Sequence, residues 1–198
     1  VFFYFTSALR VVYKLQVVLS LIFVCMNPIF LVGYMGSGKS TIGRLLAANL
    51  HFQFIDLDTW IENRFHKTIR ELFADYGEIK FREIEHKSLE ELADFQDVVV
   101  ATGGGAACYH QNMDWMNSHG ITIYLASSVE TLVSRLATSK SMRPLVSNKS
   151  DTDLYHFISE SLHQREPYYT QAHLVVNSTS DPAEILTARI VETINQLS

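Results

Sequence analysis

Eight consecutive residues, Gly33-Tyr34-Met35-Gly36-Ser37-Gly38-Lys39-Ser40, constrain this chain more than anything else in it. They match G-x-x-x-x-G-K-[ST] in full, and the chemistry explains the spacing. Glycines remove the β-carbons that would keep backbone N–H groups from converging on phosphate oxygens. A helix that begins on such a loop adds its own unpaired N–H groups and the positive end of its dipole. Lys39 then reaches the β- and γ-phosphates, and the Ser40 hydroxyl is a ligand for Mg²⁺. The loop needs a buried strand before it and a helix after it. Both are present: Ile29-Phe30-Leu31-Val32 is uniformly apolar, and Ile42, Leu45, Leu46 and Leu50 make one helical stripe. A nucleoside triphosphate, ATP or GTP, is the implied ligand.

The same alternation continues to the C-terminus. Apolar runs predict strands at Phe52–Ile55, Val98–Ala101, Ile121–Leu125 and Leu174–Val176. Residues from about 59 to 94 read as helical, broken near Gly77. A last helix opens with Asp181 as cap, Pro182 in the first position and Glu184 completing a capping box. Five short apolar strands separated by helices imply an α/β fold of three layers, a parallel sheet covered on both faces. The longest polar connection runs from Ser139 to Asp153 and contains Arg143-Pro144. A loop that long inside a compact domain is usually functional or mobile.

A generic nucleotide-binding loop of this kind is served by a second apolar strand ending in aspartate. Here Val98–Ala101 runs into Thr102, so the carboxylates must come from elsewhere. Asp56 and Asp58 close the second strand, and alternation along an extended chain points both to one side. Ligands of parallel sheets sit beyond the carboxyl ends of the strands, where this pair lies. One could hold Mg²⁺ through water and the other orient or deprotonate an acceptor hydroxyl. A competing reading makes Asp58 the cap of the following helix.

Arg82 sits in an amphipathic helix within Phe81-Arg82-Glu83, Arg143 in the long polar loop, and Arg165 in Gln164-Arg165-Glu166-Pro167-Tyr168-Tyr169. Singly, each is more often a surface charge than a ligand contact. Gly103-Gly104-Gly105 follows the third strand, where bare backbone lets a ligand approach closely. The eight histidines show no metal-binding spacing.

Taken in order, these segments resemble the shikimate kinases, a family of nucleoside-monophosphate-kinase-like P-loop enzymes. The resemblance rests on Gly33–Thr41 with Ile42-Gly43, Asp56-Leu57-Asp58, Phe81-Arg82-Glu83, Ala101-Thr102-Gly103-Gly104-Gly105, Arg143-Pro144-Leu145 and Arg165-Glu166-Pro167-Tyr168-Tyr169. It spans about Pro28 to the C-terminus. It implies transfer of phosphate from ATP to the 3-hydroxyl of shikimate, in aromatic amino-acid biosynthesis. Residue by residue, it implies ATP contacts from Gly36, Ser37, Gly38, Lys39, Ser40 and Thr41, with Arg135 near the adenine. Ser40 and Asp56 manage Mg²⁺, the aspartate through water. Asp58 holds the acceptor hydroxyls, and Arg82 and Arg165 grip the carboxylate beside Gly103, Gly104 and Gly105. The resemblance also implies a mobile lid over about 139–153, and Lys39 and Arg143, the latter on that lid, neutralise charge during transfer. Monomeric, cytoplasmic protein is the accompanying expectation.

Bulk properties agree with an enzyme of one domain. The chain has 198 residues, 47% hydrophobic and 19% charged, with a net charge of −5, which disfavours nucleic acid as a partner. Two cysteines, Cys25 and Cys108, suggest a reducing compartment. Residues 1–25 differ from the rest: they carry Arg10 and Lys14, no acidic residue, and the apolar run Val17–Cys25. That run is short of the roughly 20 apolar residues of a membrane span. It has the form of a secretory leader or, since Met26 directly precedes the first strand, of upstream sequence outside the kinase-like domain 26–198. Two other functions fit the P-loop: a kinase for another sugar acid such as gluconate, and a nucleotide-binding module without catalysis.

Overall fold

A computed structural model of the chain describes residues 27–138, 151–179 and 181–197. Five parallel strands form one sheet in the order β2-β3-β1-β4-β5: β1 Ile29–Val32, β2 Gln53–Asp56, β3 Val98–Ala101, β4 Ile121–Ala126 and β5 Leu174–Asn177. Around it lie α1 Lys39–Leu50, α2 Leu57–Phe65, α3 Ile69–Ala93, α4 Asn112–His119, α5 Val129–Thr138, α6 Asp151–Tyr169 and α7 Ala183–Leu197, with a 3₁₀ turn at Ala106–Cys108. The expected five-stranded, three-layer architecture is the observed one.

The period-two geometry of a strand divides β1 between two cores. Phe30 and Val32 join Val98, Val100 and Tyr124 on one face, under α2, α3 and α6. Ile29 and Leu31 join Val99, Ile123 and Leu125 on the other, under α1 and α7 through Ile42, Leu46, Leu186, Ile190 and Ile194. Because the central strands are fully buried on both faces, their sequences carry no polar alternation. The central register, Ile29 opposite Val99 and Ile121, places the ends of β1 and β3 side by side. The phosphate loop after β1 and the glycine triplet after β3 therefore share one rim of the sheet.

Three local expectations are corrected. The helical stretch after β2 is interrupted at His66–Thr68 as well as at Gly77. His66 takes a left-handed φ of 52°, and Thr68 starts a new helix with a reciprocal capping box to Glu71. Thr68-Ile69-Arg70-Glu71 is the S/T-x-x-E signal for such a start, so the break was readable. Gly77, at φ 74° and ψ 171°, lies in a region open to glycine and breaks α3 as expected. At the C-terminus α7 begins at Ala183, with Pro182 O accepting from Leu186 N, and Asp181 forms an ion pair with Arg189 at 2.8 Å. Of the segment expected as a lid, residues 139–150, including Arg143, lie outside the described residues, and residue 151 begins α6. Residues 1–26 also lie outside them.

Candidate active site

The phosphate loop folds as its sequence requires. Gly38, at φ 100°, ends the turn and α1 starts at Lys39. Lys39 is 8% exposed, and its Nζ donates to the carbonyls of Gly33 at 2.7 Å and Tyr34 at 3.0 Å. The ammonium thus lies along the loop, over the space its backbone encloses. Ser37 is buried, and its Oγ has no protein partner. A buried hydroxyl left without a partner is costly, and a phosphate oxygen would relieve it. Ser40 Oγ donates to Asp56 Oδ2 at 2.7 Å, joining the first turn of α1 to the end of β2. Thr102, where many related folds carry aspartate, is instead tied back into the sheet: its Oγ1 donates to Leu31 O at 2.9 Å.

The geometry of the aspartate pair differs from the one expected. Asp56 ends β2, but Leu57 already starts α2, so Asp58 stands in a helical first turn and not on an extended chain. The cap is Asp56, whose Oδ1 accepts from Thr59 N at 3.4 Å. Leu57 is fully buried, and with it inward both carboxylates still line the same cleft. Burial raises the Asp58 carboxyl above its ordinary range, with Asp56 adding to the rise and Lys39 opposing it.

Across the cleft is a buried charge cluster that the sequence reading recognised only in part. Arg82 is 8% exposed and Glu85, one helical turn on, only 1%. Arg82 Nη1 donates to Glu85 Oε2 at 2.8 Å, and Nη2 to Glu78 Oε1 at 3.1 Å. Burial works against the guanidinium charge, but the two glutamates outweigh it and hold Arg82 above its ordinary range. Burial also pushes the Glu85 carboxyl up to about 7, against the pull of Arg82. Glu85 was missed because one glutamate among many in a helix looks like a solvated one. Its spacing of three from Arg82 was the available signal.

The glycine triplet makes this crowding possible. A Cβ at Gly103 would sit 2.6 Å from Glu85 Oε1 and 3.0 Å from Asp58 Oδ1, and one at Gly105 would sit 2.8 Å from both Arg82 Nη atoms. Side chains there would displace the very groups that face the cleft. Gly104 O accepts from Arg165 Nη1 at 3.3 Å and from the Tyr169 hydroxyl, which fixes the loop to α6. The Arg165 guanidinium lies 5.5 Å from the Tyr34 ring centroid. At the opposite end, Arg135 Nη1 donates to Gly36 O and Ser37 O, both at 3.3 Å, and Nη2 to Ser178 O at 2.7 Å. Ser178, also absent from the sequence reading, donates through Oγ to Ser37 O at 3.1 Å and so anchors the loop to the end of β5.

Most of these groups line one cavity of about 740 Å³. It brings together Gly36–Thr41, Asp56, Asp58, Arg82, Gly103–Gly105, Arg135 and Arg165, every predicted site residue except Arg143. The arrangement has two ends. One is a backbone cradle with a lysine, suited to polyphosphate; the other holds two arginines and two carboxylates, suited to a small hydroxylated acid.

The chain is similar to known proteins of one family. The shikimate kinase family model matches residues 35–195. A shikimate kinase of Bacteroides fragilis is 49% identical over 150 residues, covering 76% of this chain and 84% of the relative. The crystal structure of shikimate kinase from Bacteroides thetaiotaomicron superposes with a TM-score of 0.82 at 44% identity, covering 85% of this chain and 98% of that one. Shikimate kinase from Acinetobacter baumannii, solved in complex with shikimate, gives a TM-score of 0.81 at 34% identity over 90% of this chain and 98% of its own. A family match over nearly the whole described chain, on a cavity with the expected two ends, shows that the chain belongs to the shikimate kinase family.

Proposed function

We propose that this protein transfers the γ-phosphoryl group of ATP to the 3-hydroxyl of shikimate, giving shikimate 3-phosphate and ADP. The observation that carries the reading is the single cavity with a triphosphate cradle at one end and Asp58, Arg82 and Arg165 at the other. The acceptor's carboxylate pairs with Arg165 and Arg82, whose planar forks match it with parallel hydrogen bonds. Its ring hydroxyls face Asp58. The acceptor oxygen attacks the γ-phosphorus, the bond from that phosphorus to the β–γ bridging oxygen breaks, and ADP leaves with the electron pair. Asp58 orients the attacking hydroxyl and takes its proton; burial, with Asp56 beside it, raises its carboxyl above the ordinary range, which makes it a better base than a solvated aspartate. Lys39 stabilises charge on the transferring group by position alone, since such transfers need little covalent help from the protein.

The metal proposed is Mg²⁺. It binds few protein oxygens and fills its shell with water and phosphate, so a dedicated cage is not required. The Ser40–Asp56 pair, 2.7 Å apart and built of hard oxygens, fits that demand, with Ser40 as ligand and Asp56 acting through water. When bound, the ion neutralises the β- and γ-phosphate oxygens. Arg135 belongs to the nucleotide end by its contacts with the loop. Arg143, which lies outside the described residues, is the further cation proposed to balance charge at the phosphates.

We assign the protein to the cytoplasm as a monomer. No helix among the described residues is long and apolar enough to cross a membrane. The decisive experiment measures ADP release with shikimate, gluconate and other hydroxy-acids as acceptors. Turnover should require shikimate and a divalent cation. Turnover of another acid in its place would end this reading, and ATP binding without phosphorylation of any acceptor would favour a non-catalytic module.

A further inference from the structure

Arg82 is also held by two groups that are not among the residues lining the cavity, Tyr109 and Glu78. Tyr109 follows the 3₁₀ turn that leaves the glycine triplet. Its ring centroid is 4.3 Å from Arg82 Cζ, nearer than Phe81 at 5.4 Å or Phe73 at 5.6 Å. Its hydroxyl donates to Glu78 Oε1 at 3.1 Å, the same oxygen that accepts from Arg82 Nη2 at 3.1 Å. The three side chains close a ring: aromatic face on guanidinium, phenol on carboxylate, carboxylate on guanidinium. Burial holds the phenol above its ordinary range, so it stays a donor. The bond from Arg82 holds Glu78 below its own, so it stays an acceptor.

We propose that Tyr109 is a positioning residue for the acceptor, fixing the plane of the Arg82 guanidinium by stacking on it and by orienting Glu78. A bidentate grip on a carboxylate demands that plane in advance, and a long arginine side chain does not supply it unaided. Glu85, which lines the cavity, constrains Nη1; Glu78 and Tyr109, which do not, constrain Nη2 and the face. The inference rests on the reading that Arg82 holds the acceptor's carboxylate. It adds that the first residue beyond the Ala106–Cys108 turn sets how well Arg82 does so.

Steady-state kinetics of the full chain, varying shikimate and ATP separately, tests it. Tyr109→Ala should raise KM for shikimate about tenfold, with KM for ATP and kcat unchanged to within about twofold. Tyr109→Phe, which keeps the ring, should recover most of the loss. In an Arg82→Ala background, or Arg82→Lys where the alanine variant does not fold, Tyr109→Ala should add nothing, because both act through one group. An unchanged shikimate KM in Tyr109→Ala, equal rises in both KM values, or effects that multiply in the double variant would overturn the proposal. If Arg82→Lys and Arg82→Ala themselves leave the shikimate KM unchanged, the parent reading falls first and takes this one with it.

Discussion

The two ends of the cavity are built in opposite ways. The nucleotide end is eight consecutive residues and the first turn of one helix, and most of its chemistry is backbone N–H, positioned by local conformation. The acceptor end draws on α2, α3, the loop after β3 and α6, and its chemistry is charged side chains withdrawn from water. Away from its positive-φ glycines and from Lys39 and Ser40, a backbone site tolerates substitution because every residue supplies the same groups. A buried charge cluster does not, since each member is balanced by another and removing one strands its partner. The first end should lose rate when damaged; the second should lose both acceptor binding and stability.

Lys39→Ala offers the largest expected effect: about a thousandfold loss in kcat, with little change in affinity for shikimate. Product-release kinetics and shikimate titration check this. If the variant lost as much thermal stability as a cleft-charge variant, the contrast between the two ends would break. Arg82→Ala should raise KM for shikimate about a hundredfold and destabilise the fold by about 3 kcal/mol, because Glu85 keeps its burial without its counter-charge. Urea denaturation alongside kinetics measures both losses, and a loss of binding without a loss of stability would show the cluster to be less coupled than its geometry implies.

Titration sharpens the comparison further. Glu85 has a folded pKa of about 7 against an ordinary 4.5, so between those values the folded state binds more protons than the unfolded one. Its contribution to stability is therefore present at low pH and lost as pH rises through 7, on the order of 3 kcal/mol in all. Denaturation curves from pH 5 to 8 should show that decline, and Glu85→Gln should flatten it. An equally steep decline in the variant would place the titrating group elsewhere. The smallest effect belongs to Gly77→Ala. A Cβ there meets nothing within 4 Å, yet φ is 74° and ψ 171°, so only backbone strain of about 2 kcal/mol is expected. A melting shift larger than that would show that the break in α3 also serves packing.

Legibility in the sequence follows the same divide. Ile29–Val32 and Val98–Ala101 were readable to the residue because strands buried on both faces leave an unbroken apolar run. Gly33–Ser40 was readable because its function is a local conformation. Asp58 and Arg82 were recognised as part of an ordered set, but the extended-chain geometry first assigned to Asp58 failed, since α2 begins one residue before it. Glu85, Tyr109 and Ser178 were not recognised at all. Each is ordinary in sequence and gains its role from a partner 3, 27 or 141 positions away.

By itself the sequence determined that a triphosphate cradle lies between a buried strand and a helix, on a parallel sheet with helices on both faces. Periodicity and glycine spacing act over a few residues, so they survive without knowledge of the fold. Only the tertiary structure decided that Glu85 joins Asp58, Arg82 and Arg165 in one cleft, and how their charges balance. Burial and charge pairing are properties of packed neighbours, and packing brings together residues that the sequence keeps far apart.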